Sequence, residues 1–150
     1  MTKKDDFDLH LFLPYLLNQA AEAASDGFQR IYKDRYGMLR TDWRVLFHLG
    51  IYGRMTARDI GRMARVHKTK ISRAVARLEA RRFLVREVDE ADRRIEHLTL
   101  TPAGQGAYRD LHAVAERYDA DLVRGLAPEE TALLRKALRK LSDRPETPEG

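Results

Sequence analysis

Residues 54–94, RMTARDIGRMARVHKTKISRAVARLEARRFLVREVDEADRR, decide the fold. Thirteen Lys and Arg stand here against six acids, a balance of +7 in a chain whose net charge is +5. Positive charge gathered in one short segment is the footprint of a polyanion site. The apolar residues give the segment its form. Thr56 caps a short helix with Asp59 three residues on, a variant of the capping box, and Ile60, Met63 and Ala64 form its inner side. A second helix runs over 68–81, with Ile71, Ala74, Val75 and Leu78 at i, i+3, i+4 and i+7. The runs Phe83–Val88 and Ile95–Leu100 then alternate apolar and polar around a charged tip, Asp89 to Arg94, the pattern of a hairpin.

Outward from this segment, a first helix begins near Pro14, since the first helical turn accepts proline. It carries Leu16, Leu17, Ala20, Ala24, Phe28 and Ile31 at helical spacing and ends at Gly37. Thr41 is the expected cap of the next helix, with Asp42 in its first turn, and Gly50 and Gly53 its stops. After the hairpin, Thr101-Pro102 is a strong start for a long helix carrying Ala107, Leu111, Val114, Tyr118 and Leu122. A last helix opens at Pro128 with Leu133, Leu134, Ala137, Leu138 and Leu141. Residues 1–8 read as frayed and the tail from Ser142 as mobile. The expected fold class is mainly α (α+β). Residues 37–100 form a winged helix-turn-helix DNA-binding domain, residues 1–36 and 101–145 flanking N- and C-terminal helices, and 146–150 a flexible tail.

The chain has 150 residues, 43% of them hydrophobic, room for one domain with helical extensions. No apolar run approaches the ~20 residues of a membrane span, and the polar, acidic start is no secretory signal. There is no cysteine, which excludes disulfides, thiol-based sensing and cysteine-ligated zinc. The five histidines show no metal-ligand spacing, so neither metal nor cofactor is expected. A reducing cytoplasm suits this composition.

With the apolar stripe of 68–81 turned inward, Lys70, Arg73 and Arg77 fall in one row on the opposite side, and Arg81 extends it. Lys68, Thr69 and Ser72 occupy the first turns. The second helix of a helix-turn-helix enters the major groove, where its N-terminal residues meet base edges. Arg reads guanine there, and Ser or Thr bonds bases or phosphates. A solvated basic face is the plainer interpretation of the helix alone. The hairpin directly after it, tipped by Arg93-Arg94, adds a wing whose arginine can enter a narrow A·T-rich minor groove. Asp92 beside them can orient a guanidinium through a bidentate pair.

The stretch from Thr41 to Gly104 resembles the MarR (multiple antibiotic resistance) family of bacterial regulators. Thr41 to Leu46, Ile71-Ser72-Arg73 and Arg77-Leu78-Glu79 carry the resemblance. So, most sharply, do Asp89-Glu90-Ala91-Asp92-Arg93-Arg94 and the following Leu98-Thr99-Leu100-Thr101 with Gly104. The resemblance implies a homodimer joined through its first and last two helices. It implies a sequence-specific transcription regulator, a repressor more often than an activator, acting on a palindromic operator in the bacterial cytoplasm, in association with the nucleoid. By position, one of Arg93 and Arg94 reaches the minor groove while the other pairs with an acid such as Asp92; Arg93 is taken for the groove. Two positions depart from the family. Arg82 stands where it places Gly after the recognition helix, at a cost of about 1 kcal/mol if the backbone is left-handed, unless the turn is reshaped or a phosphate contact compensates. Ala127 stands where Ser or Thr would cap the last helix. The dimer has support from composition too: Leu9, Leu11, Phe12 and Leu13, with the last two helical stripes, exceed what one small core absorbs.

Such regulators often bind small aromatic acids or phenols between the DNA-binding lobe and the dimerisation helices. Tyr15, Trp43, Phe47 and Tyr52 are the candidate apolar wall, Arg44 the candidate partner of a carboxylate, and His48 a neighbour one turn on. A core role for Trp43 and a surface ion pair for Arg44 are the alternatives. An architectural DNA binder with little sequence preference and no ligand is the competing function. An enzyme is not expected, since no phosphate-binding loop, nucleophile motif or acid pair with a base is present.

Overall fold

The stripe Ile71, Ala74, Val75 and Leu78 is buried as its spacing predicts, each residue 1% exposed or less. Around it the chain builds six helices and a small sheet in the computed structural model, which describes residues 5–144. A short 3-10 turn at Leu9–Leu11, capped by the Asp8 carboxylate, precedes α1 (Leu13–Tyr36), α2 (Arg40–Tyr52), β1 (Met55–Thr56), α3 (Ala57–Ala64) and α4 (Lys68–Ala80). Then come β2 (Leu84–Val88), β3 (Glu96–Leu100), α5 (Pro102–Leu122) and α6 (Pro128–Ser142). The chain divides into two compact units, one ending at Ala115 and the other starting at Glu116, within α5. The expected flexible tail at 146–150 lies outside the described residues.

In the first unit the strands form an antiparallel sheet in the order β1-β3-β2, with Leu84 opposite Leu100 and Arg86 opposite Leu98. Leu84, Leu98 and Leu100 are buried and join Val45, Leu46 and Leu49 of α2, Ile60 of α3 and Leu111 of α5 in one core. Burying each such side chain contributes ~1.5–3 kcal/mol. Gly104 is required by close packing, because a Cβ there would lie 2.0 Å from the Phe83 carbonyl oxygen.

Several sequence expectations need correction. Thr41 does not cap α2. The helix starts two residues earlier than that cap implies, at Arg40; Leu39 is its N-cap, and the Asp42 carboxylate accepts the Leu39 N–H at 2.9 Å. Gly50 does not stop α2 either. It lies inside the helix, where a Cβ would meet the Tyr108 ring at 2.4 Å, and Gly53 is the true terminus. Met63 is exposed, since α3 is only two turns long and Ile60 alone fills its inner position. Strand β1, two residues long, is too short to show alternation in sequence; it pairs with Leu98 and His97 of β3.

Arg82 has φ +64°, so the turn after α4 keeps the left-handed backbone that glycine would adopt freely. Its N–H donates to Glu79 O, and its carbonyl accepts the Thr101 hydroxyl at 2.6 Å. Thr101 Oγ1 also accepts the Gly104 N–H, so one side chain caps α5 and fixes the turn. Arg65, which ends α3, shares the left-handed conformation at φ +55°.

The second unit holds the end of α5, a turn and α6. Arg135 of α6 donates to Asp119 of α5 at 2.8 Å, and Arg124 pairs with Asp121. Ala127 offers α6 no side-chain cap, as expected, but its N–H donates to Glu130 at 2.9 Å. Leu133, Leu134, Leu138 and Leu141 are all exposed.

Candidate nucleic-acid interface

The turn between α3 and α4 is defined by short-range hydrogen bonds. Thr56 Oγ1 accepts the Asp59 N–H at 3.1 Å to open α3. After the left-handed Arg65, Val66 N–H donates to Gly61 O, and His67 Nδ1 accepts the Thr69 N–H to open α4. This places the start of α4 at the surface. Lys68, Thr69, Lys70, Ser72 and Arg73 are all exposed around the buried Ile71. Arg58 and Arg62 of α3 flank the same edge, lining with Lys68 and Ser72 a groove of ≈ 470 Å³. A face of this kind can hold phosphates through its lysines and aim one arginine at base edges.

Arg77 departs from the expected row. It is half-buried, and its Nε and Nη2 donate to Asp42 at 2.8–3.1 Å. Asp42 is 2% exposed. The guanidinium of Arg77 therefore ties α4 to the start of α2 and is not presented with Lys70 and Arg73. Arg81 is similarly occupied, donating to Tyr36 O at 2.7 Å.

The hairpin tip is ordered by two carboxylates. Asp89 Oδ1 accepts the N–H groups of Ala91 and Asp92 at 2.8 and 3.0 Å, while His97 Nε2–H donates to Asp89 Oδ2 at 2.8 Å. Asp92 in turn accepts Arg94 Nε at 3.0 Å and Nη2 at 3.1 Å, a bidentate pair. The His97 hydrogen bond, then the two amides, hold the Asp89 carboxyl below the ordinary carboxylate range. The Arg94 guanidinium does the same to Asp92. Arg93 is exposed and forms no ion pair among the described residues, while Asp92 pairs with Arg94. Arg86 of β2 bonds both Glu79 of α4 and Glu96 of β3, fixing the hairpin to the helix. The sequence showed Asp92 and the arginines. It did not show His97 and Asp89, eight residues apart and joined only once the strands pair.

The candidate ligand residues separate into three places. Trp43 and Phe47 join Phe28, Tyr32, Tyr108 and His112 in an aromatic cluster drawn from α1, α2 and α5, with Phe28 to Trp43 and Trp43 to Phe47 both at 5.2 Å edge-to-face. Burial raises the Tyr32 phenol above its usual value, against the opposing pull of Arg40. Arg44 and His48 lie on the adjacent stripe of α2, where His48 Nδ1–H donates to Arg44 O and the His48 ring meets Tyr52. Arg44 is half-buried with no ion-pair partner among the described residues. Tyr15 packs on His10 and makes no ring contact with the cluster.

Helix, turn, basic helix and arginine-tipped antiparallel hairpin together make a winged helix-turn-helix, the architecture of a class of DNA-binding proteins. Residues 36–95 match the profile of the MarR family. The chain is 25% identical over 108 residues, 72% of its length, to the HTH-type transcriptional regulator YwaE of Bacillus subtilis, and the match spans 63% of that relative. Its fold is similar to that of Bordetella bronchiseptica BpsR, a protein whose DNA binding is regulated by 6-hydroxynicotinic acid; the TM-score is 0.86 at 26% identity, over 94% of this chain and 100% of the other. It also resembles NadR, solved in complex with 4-hydroxyphenylacetate, with a TM-score of 0.73 at 26% identity over 97% of this chain and 100% of that one.

Proposed function

We propose that the chain is a sequence-specific transcriptional regulator, a repressor that binds a palindromic operator as a homodimer and is relieved by a small aromatic carboxylate or phenol. One observation carries the DNA-binding part: Lys68, Thr69, Lys70, Ser72 and Arg73 are exposed on one end of α4 while Asp92 takes Arg94 and leaves the exposed Arg93 without an ion pair among the described residues. In this assignment α4 enters the major groove, Arg73 reads bases, the lysines hold phosphates, and Arg93 enters the minor groove. Residues 37–100 form the DNA-binding domain, and 1–36 with 101–145 the dimerisation region. The exposed Leu11, Leu13, Leu133 and Leu134, 45–74% exposed in the single chain, support a partner copy. Two-fold symmetry then sets the half-sites one duplex turn apart, ~34 Å. No helix among the described residues is long and apolar enough to cross a membrane. The proposed location is the bacterial cytoplasm, on the nucleoid.

The ligand assignment rests on the aromatic cluster beside Arg44 and on two similar structures whose ligands are hydroxylated aromatic acids. Trp43 and Phe47 are its apolar wall and Arg44 its carboxylate partner, with His48 next to Arg44.

Selection of duplexes from a random-sequence pool tests this function. A recovered palindrome bound about 10^3-fold or more above random DNA supports it, whereas affinities within about tenfold favour the architectural alternative. Arg73→Ala should lower that ratio, and light scattering should find a dimer.

A further inference from the structure

We propose that His97 is a positioning residue for the wing: by holding Asp89 it sets the direction of Arg93 and hence the preference for A·T-rich flanks, without itself touching DNA. The inference rests on the DNA-binding function proposed above. Its basis is a chain of contacts with no slack. The Asp89 N–H donates to Ile95 O at 2.8 Å and the Ile95 N–H to Asp92 O at 3.0 Å, closing the hairpin end. Within that loop Asp89 Oδ1 takes the amides of Ala91 and Asp92, so its carboxylate plane dictates the backbone just before Arg93. Oδ2 is the remaining handle on that plane, and His97 Nε2–H grips it at 2.8 Å.

His97 is well placed to act as a fixed post. It sits in β3, the central strand, opposite Thr56 of β1 and Glu87 of β2. Its side chain is 23% exposed, against 90% for Arg94 at the tip. The charged groups around it are Asp89 itself and Glu87, which Arg54 approaches at 3.7 Å. The exposed tip is thus referenced, through one carboxylate, to the most strongly paired strand of the sheet. A hydrogen bond to a charged group in a partly desolvated place is among the stronger ones a side chain can make.

The test compares His97→Phe, which keeps a ring but removes the donor, with His97→Gln, whose amide N–H can donate to Asp89. The full chain is titrated with selected duplexes that differ only in A·T or G·C flanks. His97→Phe should reduce the A·T-over-G·C ratio by about tenfold, the size of one charge-assisted hydrogen bond. The dependence on salt should stay unchanged, because no cation has left the interface, and His97→Gln should recover most of the ratio. In the free protein the amides of Ala91 and Asp92 should exchange faster in His97→Phe and return toward the original rate in His97→Gln. An unchanged flank ratio with only a lowered melting temperature would make His97 merely structural and overturn the proposal. A salt slope reduced by about one counterion would make it a phosphate contact instead, and overturn it equally. Should the unmodified protein retain no duplex, the DNA-binding function itself falls. Unaltered amide exchange with DNA binding intact removes the His97 inference alone.

Discussion

Arg77 and Asp42 are joined by three hydrogen bonds of 2.8–3.1 Å between α4 and the first turn of α2. The same carboxylate accepts the Leu39 N–H, so one acid both caps α2 and anchors α4. Asp42 is almost wholly enclosed, and loss of either partner strands the other.

Asp42→Ala should therefore cost about 3 kcal/mol in urea denaturation, combining a lost cap with an uncompensated guanidinium. Arg77→Ala should cost a similar amount, and the double variant clearly less than the sum. Arg77→Ala should also leave the salt dependence of DNA binding unchanged. A drop in slope of about 0.9 would show that Arg77 reaches a phosphate after all.

The wing arginines should behave unequally. Arg93→Ala should weaken binding chiefly to duplexes with A·T-rich flanks, as expected for insertion into a narrow minor groove. Arg94→Ala should act through its released partner Asp92, lowering affinity with little change in flank preference. Fluorescence anisotropy on paired duplexes separates the two. Equal losses across all flanks for Arg93→Ala would reduce it to a plain phosphate contact.

Tyr36 donates its hydroxyl to Asp110 at 2.6 Å, and burial, then that bond and the Asp110 charge, push its pKa from 10.0 to about 12. Because the folded value is raised, the stabilisation is complete below pH 10.0 and fades as pH rises through about 12. Alkaline titration followed by ultraviolet absorbance should show a late tyrosine component, to which Tyr36 contributes alongside the buried Tyr32. In Tyr36→Phe that late component should shrink by one tyrosine, and the protein should lose stability at neutral pH but less steeply on the alkaline side.

Arg82 bears a left-handed backbone held by the Thr101 hydroxyl, while its own side chain makes no hydrogen bond or ion pair among the described residues. Arg82→Gly removes the Cβ conflict and adds chain entropy to the unfolded state, for a net gain of about 0.5 kcal/mol. Calorimetry should register a melting temperature about 1–2 °C higher. DNA affinity should not move, since the five residues of β2 separate Arg82 from the tip.

Most of this fold was legible because its helices are periodic and well punctuated. The stripe of α4, the Thr56 cap, the Thr101-Pro102 start and the two alternating strands each announce themselves locally. Where sequence logic failed, tertiary packing had overruled a local signal. Gly50 looks like a helix stop but is the flat spot that receives Tyr108. Thr41 looks like a cap, yet Asp42 does that work from inside the helix. Arg77 keeps step with Lys70 and Arg73 on a helical wheel, and only the placement of α2 shows that a buried acid claims it. The aromatic cluster was half visible. Trp43 and Phe47 share a helix, but Phe28, Tyr32, Tyr108 and His112 come from two others.

That cluster also furnishes an optical instrument. The chain has a single tryptophan, and its indole touches Phe28, Tyr32 and Phe47 at the meeting of α1 and α2. Its emission reports on this one junction without any label, uncontaminated by a second fluorophore of its kind. An aromatic acid entering among the rings would register as quenching or a spectral shift during an ordinary titration, before any DNA is added.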